Sequence, residues 1–156
     1  ERRRRRHADA TFLFWRTGML ALLAAVTLGF VLVFSHDEGL RGRIELAMGL
    51  AMLVGFFVSV INGMFYKIVP FLTWLHLQQR VAFPPNMNQV ITERAMRGQL
   101  WLHWAALGAL AAGLVFAPML IVGGLLFAAS CAWLELNLTG AARLYRRMSR
   151  GVASVP

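Results

Sequence analysis

A chain of 156 residues with 58% hydrophobic side chains, a mean hydropathy of +0.59 and only 15% charged residues lacks the polar side chains to cover a small soluble globule. Its 16 Lys+Arg against 7 Asp+Glu leave a net charge of +9, and that excess on a mostly apolar chain points to a membrane protein with basic loops, not a nucleic-acid binder. The composition excludes disordered and collagen-like classes as well, and with Cys131 the single cysteine no intrachain disulfide can form.

The chain opens on Glu1 and the run Arg2 to Arg6, with no small-residue cleavage site ahead of the first apolar stretch, which is expected of a processed product or a piece of a longer polypeptide. Uncharged runs then extend from Thr17 to Ser35 and from Leu46 to Tyr66. Each is close to the ~20 residues that cross ~30 Å of hydrocarbon, predicting spans over 15–35 and 45–66. A third run, Gly98 to Leu134, is too long for one crossing at ~1.5 Å per residue. It divides best at Phe116-Ala117-Pro118, because proline removes a backbone donor and suits a first helical turn. The expected spans are 99–116 and 119–138, with Gly123-Gly124 as a rival turn. The fold class is therefore an all-α integral membrane protein, one four-helix domain over 1–156.

Between the second and third spans, residues 67–80 put Thr73, His76 and Arg80 on one face and Phe71, Leu72, Trp74 and Leu75 on the others. That pattern fits an interfacial helix, or a continuation of the second span kinked at Pro70. Pro84-Pro85-Asn86 reads as a rigid turn, and Gln89 to Arg97, with Glu93 and Arg97 spaced i,i+4, leads into the third span.

Of the 16 basic residues, only Arg41 and Arg43 fall between the first two spans. The others lie before the first span, between spans two and three, or after the last, which puts both termini in the cytoplasm with four crossings. Trp15, Trp74, Trp101, Trp104 and Trp133 fall at the same ends, where amphipathic rings favour the headgroup level. Arg2 to Arg6 suit anionic membrane lipids, and their plainer role is to fix the orientation of the first helix.

Small residues recur every fourth position: Ala47, Ala51, Gly55, Ser59 and Gly63 on the second span, Ala105, Ala109, Gly113 and Ala117 on the third, Ala21, Ala25 and Gly29 on the first, and Gly124, Ala128 and Ala132 on the fourth. Such stripes let helices approach closely in lipid, where packing replaces the hydrophobic effect. The second span is expected at the most crowded interface. The plainer reading is that these stripes only build an intramolecular bundle; the sharper one, since four helices cannot bury every stripe, is that at least one faces a partner.

Polar groups within the spans are few. Asn62 is placed to hydrogen-bond across helices, and Glu135 and Asn137 close the fourth span. His76 and His103 are the candidate ligands for haem b, which histidines on facing helices hold in membrane bundles. No catalytic constellation, phosphate-cradling glycine loop or carboxylate pair is present, and no carboxylate lies mid-span for a proton-coupled transporter.

The stretch Asn62-Gly63-Met64-Phe65-Tyr66-Lys67-Ile68-Val69-Pro70-Phe71-Leu72-Thr73-Trp74-Leu75-His76-Leu77 resembles a segment in the C-terminal half of polytopic bacterial membrane proteins grouped with haem-copper-oxidase subunit I and NnrS-type proteins. Ala141-Ala142-Arg143-Leu144-Tyr145-Arg146-Arg147 looks like their basic tail. The resemblance covers about a third of the chain. It implies a bacterial inner-membrane location and a C-terminal membrane segment of a longer respiratory-type protein. The closely spaced histidine pair of the haem-copper enzymes is absent, and no ligand is carried over.

The expected function is that of a non-catalytic membrane subunit or C-terminal membrane domain beside redox-active partners, those partners being other membrane subunits or the missing half of a longer chain. Ala51, Gly55, Ser59, Asn62, Gly63, Lys67, Pro70 and Trp74 are its candidate packing residues. The alternatives are a haem b electron-transfer module using His76 and His103, and a small oligomeric transporter.

Overall fold

The computed structural model describes residues 9–79, 81 and 85–153. Arg2 to Arg6, Arg80 and Pro84 lie outside the described residues. Helix α1 spans Ala10–Phe34, α2 Glu38–Leu50, α3 Ser59–Gln78, α4 Met87–Val90, α5 Glu93–Gly113 and α6 Pro118–Ala153. A π-helical stretch, Ala51–Val58, joins α2 to α3 without a break, so Glu38–Gln78 is one rod of 41 residues. No strand occurs among the described residues.

The ends of these helices follow from local chemistry. Asp9 starts α1 by accepting the Thr11 N–H at 3.3 Å, and Asp37 starts α2 by accepting the Leu40 N–H at 2.9 Å. The last carbonyls of α1 have no helical donors of their own. Arg41 supplies them, its Nη1 donating to Leu32 O at 3.3 Å and Ser35 O at 2.9 Å. A tight turn at residues 114–117 ends α5, and Pro118 opens α6. Gly123 and Gly124 lie inside α6, not in a turn.

Three helices are long and apolar enough to cross a membrane: α1, the Glu38–Gln78 rod and α6. The fourth expected span, 99–116, corresponds to α5. At 21 residues α5 has the length of a span, but Arg97, Gln99 and His103 hold its hydropathy below that of the other three. The long rod would extend ~60 Å at ~1.5 Å per residue, about twice the hydrocarbon thickness. It therefore stays helical past both ends of its uncharged run. Residues 67–78 are the last turns of α3, with Pro70 inside the helix, so they continue the second span and form no separate interfacial helix.

Packing is densest at the end of the bundle that carries Lys67, Arg94 and Arg97. Phe14 and Leu100 are fully enclosed there, with Tyr66, Ile91, Met96 and Ala141 around them. The opposite end is thin, Phe34 and Val115 being 76% and 86% exposed. The π stretch and the start of α3 lie against α1 at its closest approach: a Cβ at Gly55 would sit 2.6 Å from Ala21 Cβ, and one at Gly18 would sit 2.8 Å from Val60 Cγ2. Only glycine fits at either position, and this is where the small-residue stripe of the second span is spent.

Candidate functional site

Helix α5 carries the polar interior. Its buried face runs through Met96, Gln99, Leu100, His103, Ala106 and Gly113, a three-or-four spacing that sets Gln99 and His103 one turn apart on the same side. Both are fully buried. Gln99 Nε2 donates to Ser130 Oγ of α6 at 2.9 Å, and His103 Nε2 is hydrogen-bonded to Ser59 Oγ of α3 at 2.9 Å.

The two serines occupy equivalent places. Ser59 lies seven residues before Tyr66 on α3, and Ser130 seven before Asn137 on α6. Asn137 Nδ2 donates to the Tyr66 hydroxyl at 2.8 Å, which keys the two parallel helices in register. Seven residues make two turns, so the serines face inward ~10 Å deeper than this pair. Helix α5 fits between them and reaches one with each polar side chain. Toward α1 it adds a third tie, Trp104 Nε1 donating to Thr17 Oγ1 at 2.8 Å. At the basic end, Glu93 Oε1 accepts from Ala10 N at 3.0 Å and from Arg97 Nε at 2.8 Å.

Serine and histidine at 2.9 Å have the spacing of a nucleophile and its base. The arrangement does not work as one. His103 Nδ1 has no partner among the described residues, so no carboxylate orients the ring, and both side chains are closed to any substrate. Phe14 covers the imidazole, its ring centroid 5.9 Å away. The chemistry left to this pair is cohesion, each member satisfying a buried polar group of the other.

His76 is elsewhere. It is exposed near the end of α3, with its Nδ1 2.7 Å from Leu72 O and its ring edge-on to Tyr145. Ser59, the partner of His103, lies on the same continuous helix as His76, about 25 Å away at ~1.5 Å per residue. The two histidines therefore cannot flank one iron atom, and the alternative of a joint haem b site does not fit these residues. Among the described residues no three His, Cys, Asp or Glu side chains converge as metal ligands.

The remaining candidates separate by position. Gly55, Ser59, Asn62, Gly63 and Pro70 are buried, Ala51 and Trp74 half-buried, and Lys67 exposed. On α1 the expected stripe faces the long rod, Ala25 being buried and Ala21 lying against Gly55, whereas on α6 it turns outward and on α5 only Gly113 of it is buried. Ala105, Gly124, Ala128 and Ala132 are exposed, and the buried positions of α6 are Gly123, Ser130 and Ala141. Sequence reasoning passed over Ser130, the Tyr66–Asn137 pair and the Thr17–Trp104 bond. The signal was present in the matched seven-residue intervals, 59 to 66 and 130 to 137.

Beside this interior, at the basic end, lies a cavity of about 600 Å³ among the start of α1, α3 and the α4–α5 segment. Asp9, Lys67, Glu93 and Arg97 line it together with Met87 and Ile91. Comparison of the chain with protein-family models, with curated proteins and with solved structures finds no match.

Proposed function

We propose that the chain is a non-catalytic membrane module of a bacterial inner membrane, crossing four times with both termini cytoplasmic and packing beside redox-active partners as a subunit or as the C-terminal domain of a longer respiratory-type protein. The observation that carries the scaffold reading is the use made of the interior polar groups. Ser59, Gln99, His103 and Ser130 are buried and bonded from helix to helix, which holds the bundle together. The exposed small residues Gly124, Ala128 and Ala132 on α6 leave a face that another helix can approach closely. The redox setting rests on the resemblance of residues 62–77. The fourth crossing is assigned to α5, whose polar side chains turn inward to three neighbours and whose length matches the bilayer.

A photo-crosslinking side chain at Leu125, 68% exposed on α6, would test the reading in native membranes. The expected product is one adduct whose partner, purified under native conditions, absorbs in the Soret region, while the chain purified alone has no such band. A Soret band in the chain alone that disappears in His103→Ala would overturn it.

A further inference from the structure

We infer that the cavity at the basic end is a binding site for the headgroup of a zwitterionic aminophospholipid. This goes beyond the scaffold reading and needs only that the helices sit in a bilayer.

Depth identifies the level. The uncharged run of the long helix ends at Tyr66, and Lys67 follows it; the run that continues through α5 begins at Gly98, and Arg97 precedes it. The cavity is lined at Tyr66, Lys67 and Arg97, so it opens at the boundary between hydrocarbon and water, where phosphates and glycerol esters lie.

Charge identifies the ligand class. Two cations and two carboxylates share the lining, so the cavity is dipolar and not simply basic. Lys67 is exposed, and Arg97 is paired with Glu93 at 2.8 Å. These cations match a phosphate diester, for which lysine and arginine are natural donors. Asp9 and Glu93 are both exposed, and acceptor-only carboxylates match a primary ammonium, which donates three hydrogen bonds. An anionic headgroup without an ammonium would bring further negative charge beside Asp9 and Glu93, of which only Glu93 is bonded to a cation of the lining, Arg97, and a quaternary ammonium has no N–H to give them. Met87 and Ile91 complete the lining with apolar surface of the kind an ester and upper acyl chain would cover. The shared chemistry, a phosphate with a primary amine, also exists in a free glycerophospho-amine, and the apolar lining favours the lipid.

The test uses the full chain in detergent, stripped of lipid and reloaded separately with short-chain phosphatidylethanolamine, phosphatidylcholine or phosphatidylglycerol, with retained lipid counted by native mass spectrometry. Phosphatidylethanolamine is expected to be retained about fivefold better than the other two, the size of one interfacial charge contact. Lys67→Gln, at an exposed position, should lower retention of all three lipids by about the same factor, because they share the phosphate. Asp9→Asn keeps a good helix cap and should narrow the ethanolamine preference. Equal retention of the three lipids, or unaltered retention and preference in both variants, would overturn the proposal. Displacement of the lipid by soluble glycerophosphoethanolamine as readily as by fresh lipid would overturn the lipid as its source.

Discussion

Ser59 Oγ and His103 Nε2 meet at 2.9 Å inside the bundle, joining the rod that follows the first loop to the helix that begins after the second. In lipid such a bond is worth ~0.6 kcal/mol on average and at most ~1.7, because the separated helices also find partners. A double-mutant cycle with Ser59→Ala and His103→Phe should give a coupling near the upper value, since both groups are fully enclosed. Reversible unfolding in mixed detergent or by steric trapping would measure it, and a coupling of zero would mean the contact contributes no cohesion.

Close approach gives a sharper contrast. Gly55→Ala places a methyl 2.6 Å from Ala21 Cβ, so α1 and the π stretch must separate, at a cost of ~1–3 kcal/mol. Gly124 has nothing within 4 Å of an added Cβ, and Gly124→Ala should alter the stability of the isolated chain by less than ~0.5 kcal/mol. Thermal unfolding of the two variants side by side checks the difference; equal losses would show that Gly55 is not at a crowded crossing.

Cys131 provides a native probe of depth. It is exposed on α6 within one of the apolar helices, so its surroundings are expected to be acyl chain. A nitroxide attached there before reconstitution should relax readily with oxygen and poorly with a water-soluble nickel chelate. The reverse pattern would place this part of α6 in water.

Orientation can be read with new cysteines in a Cys131→Ser background. Gly42→Cys, in an open position on α2, should react with an impermeant maleimide added to spheroplasts. Gln79→Cys, exposed after α3, should react only in inverted vesicles. These outcomes follow from the fourteen-to-two division of basic residues in the sequence.

Much of the architecture is legible in the residues, and where it is not the reasons are physical. Uncharged runs mark the hydrocarbon, yet helices do not stop at its edge. Helix α1 starts at Ala10 because Asp9 can cap it there, seven residues before the uncharged run begins at Thr17. Residues 67–78 remain helical because Pro70, despite lacking an N–H, is accommodated inside α3. Small-residue spacing is a weaker guide. It picks the crowded face of the second span at Gly55, Ser59 and Gly63, but on α6 the same period selects Gly124, Ala128 and Ala132, which face outward. A stripe states that close approach is possible, not which neighbour arrives. Polar residues are the better index of a buried face in lipid, because leaving them outside is costly. Ser130, Gln99 and His103 would have oriented α5 and α6 correctly.

The inward turn of Gln99 and His103 also bears on biogenesis. Helix α1 and the long rod are apolar enough to partition from the translocon one at a time. Helix α5 carries Gln99 and His103, whose partners Ser130 and Ser59 lie on α6 and the rod, and Ser130 follows α5 in the chain. On the four-crossing reading proposed above, the four-residue turn at 114–117 lets α5 and α6 enter as a hairpin, with insertion of the third crossing waiting on synthesis of the fourth.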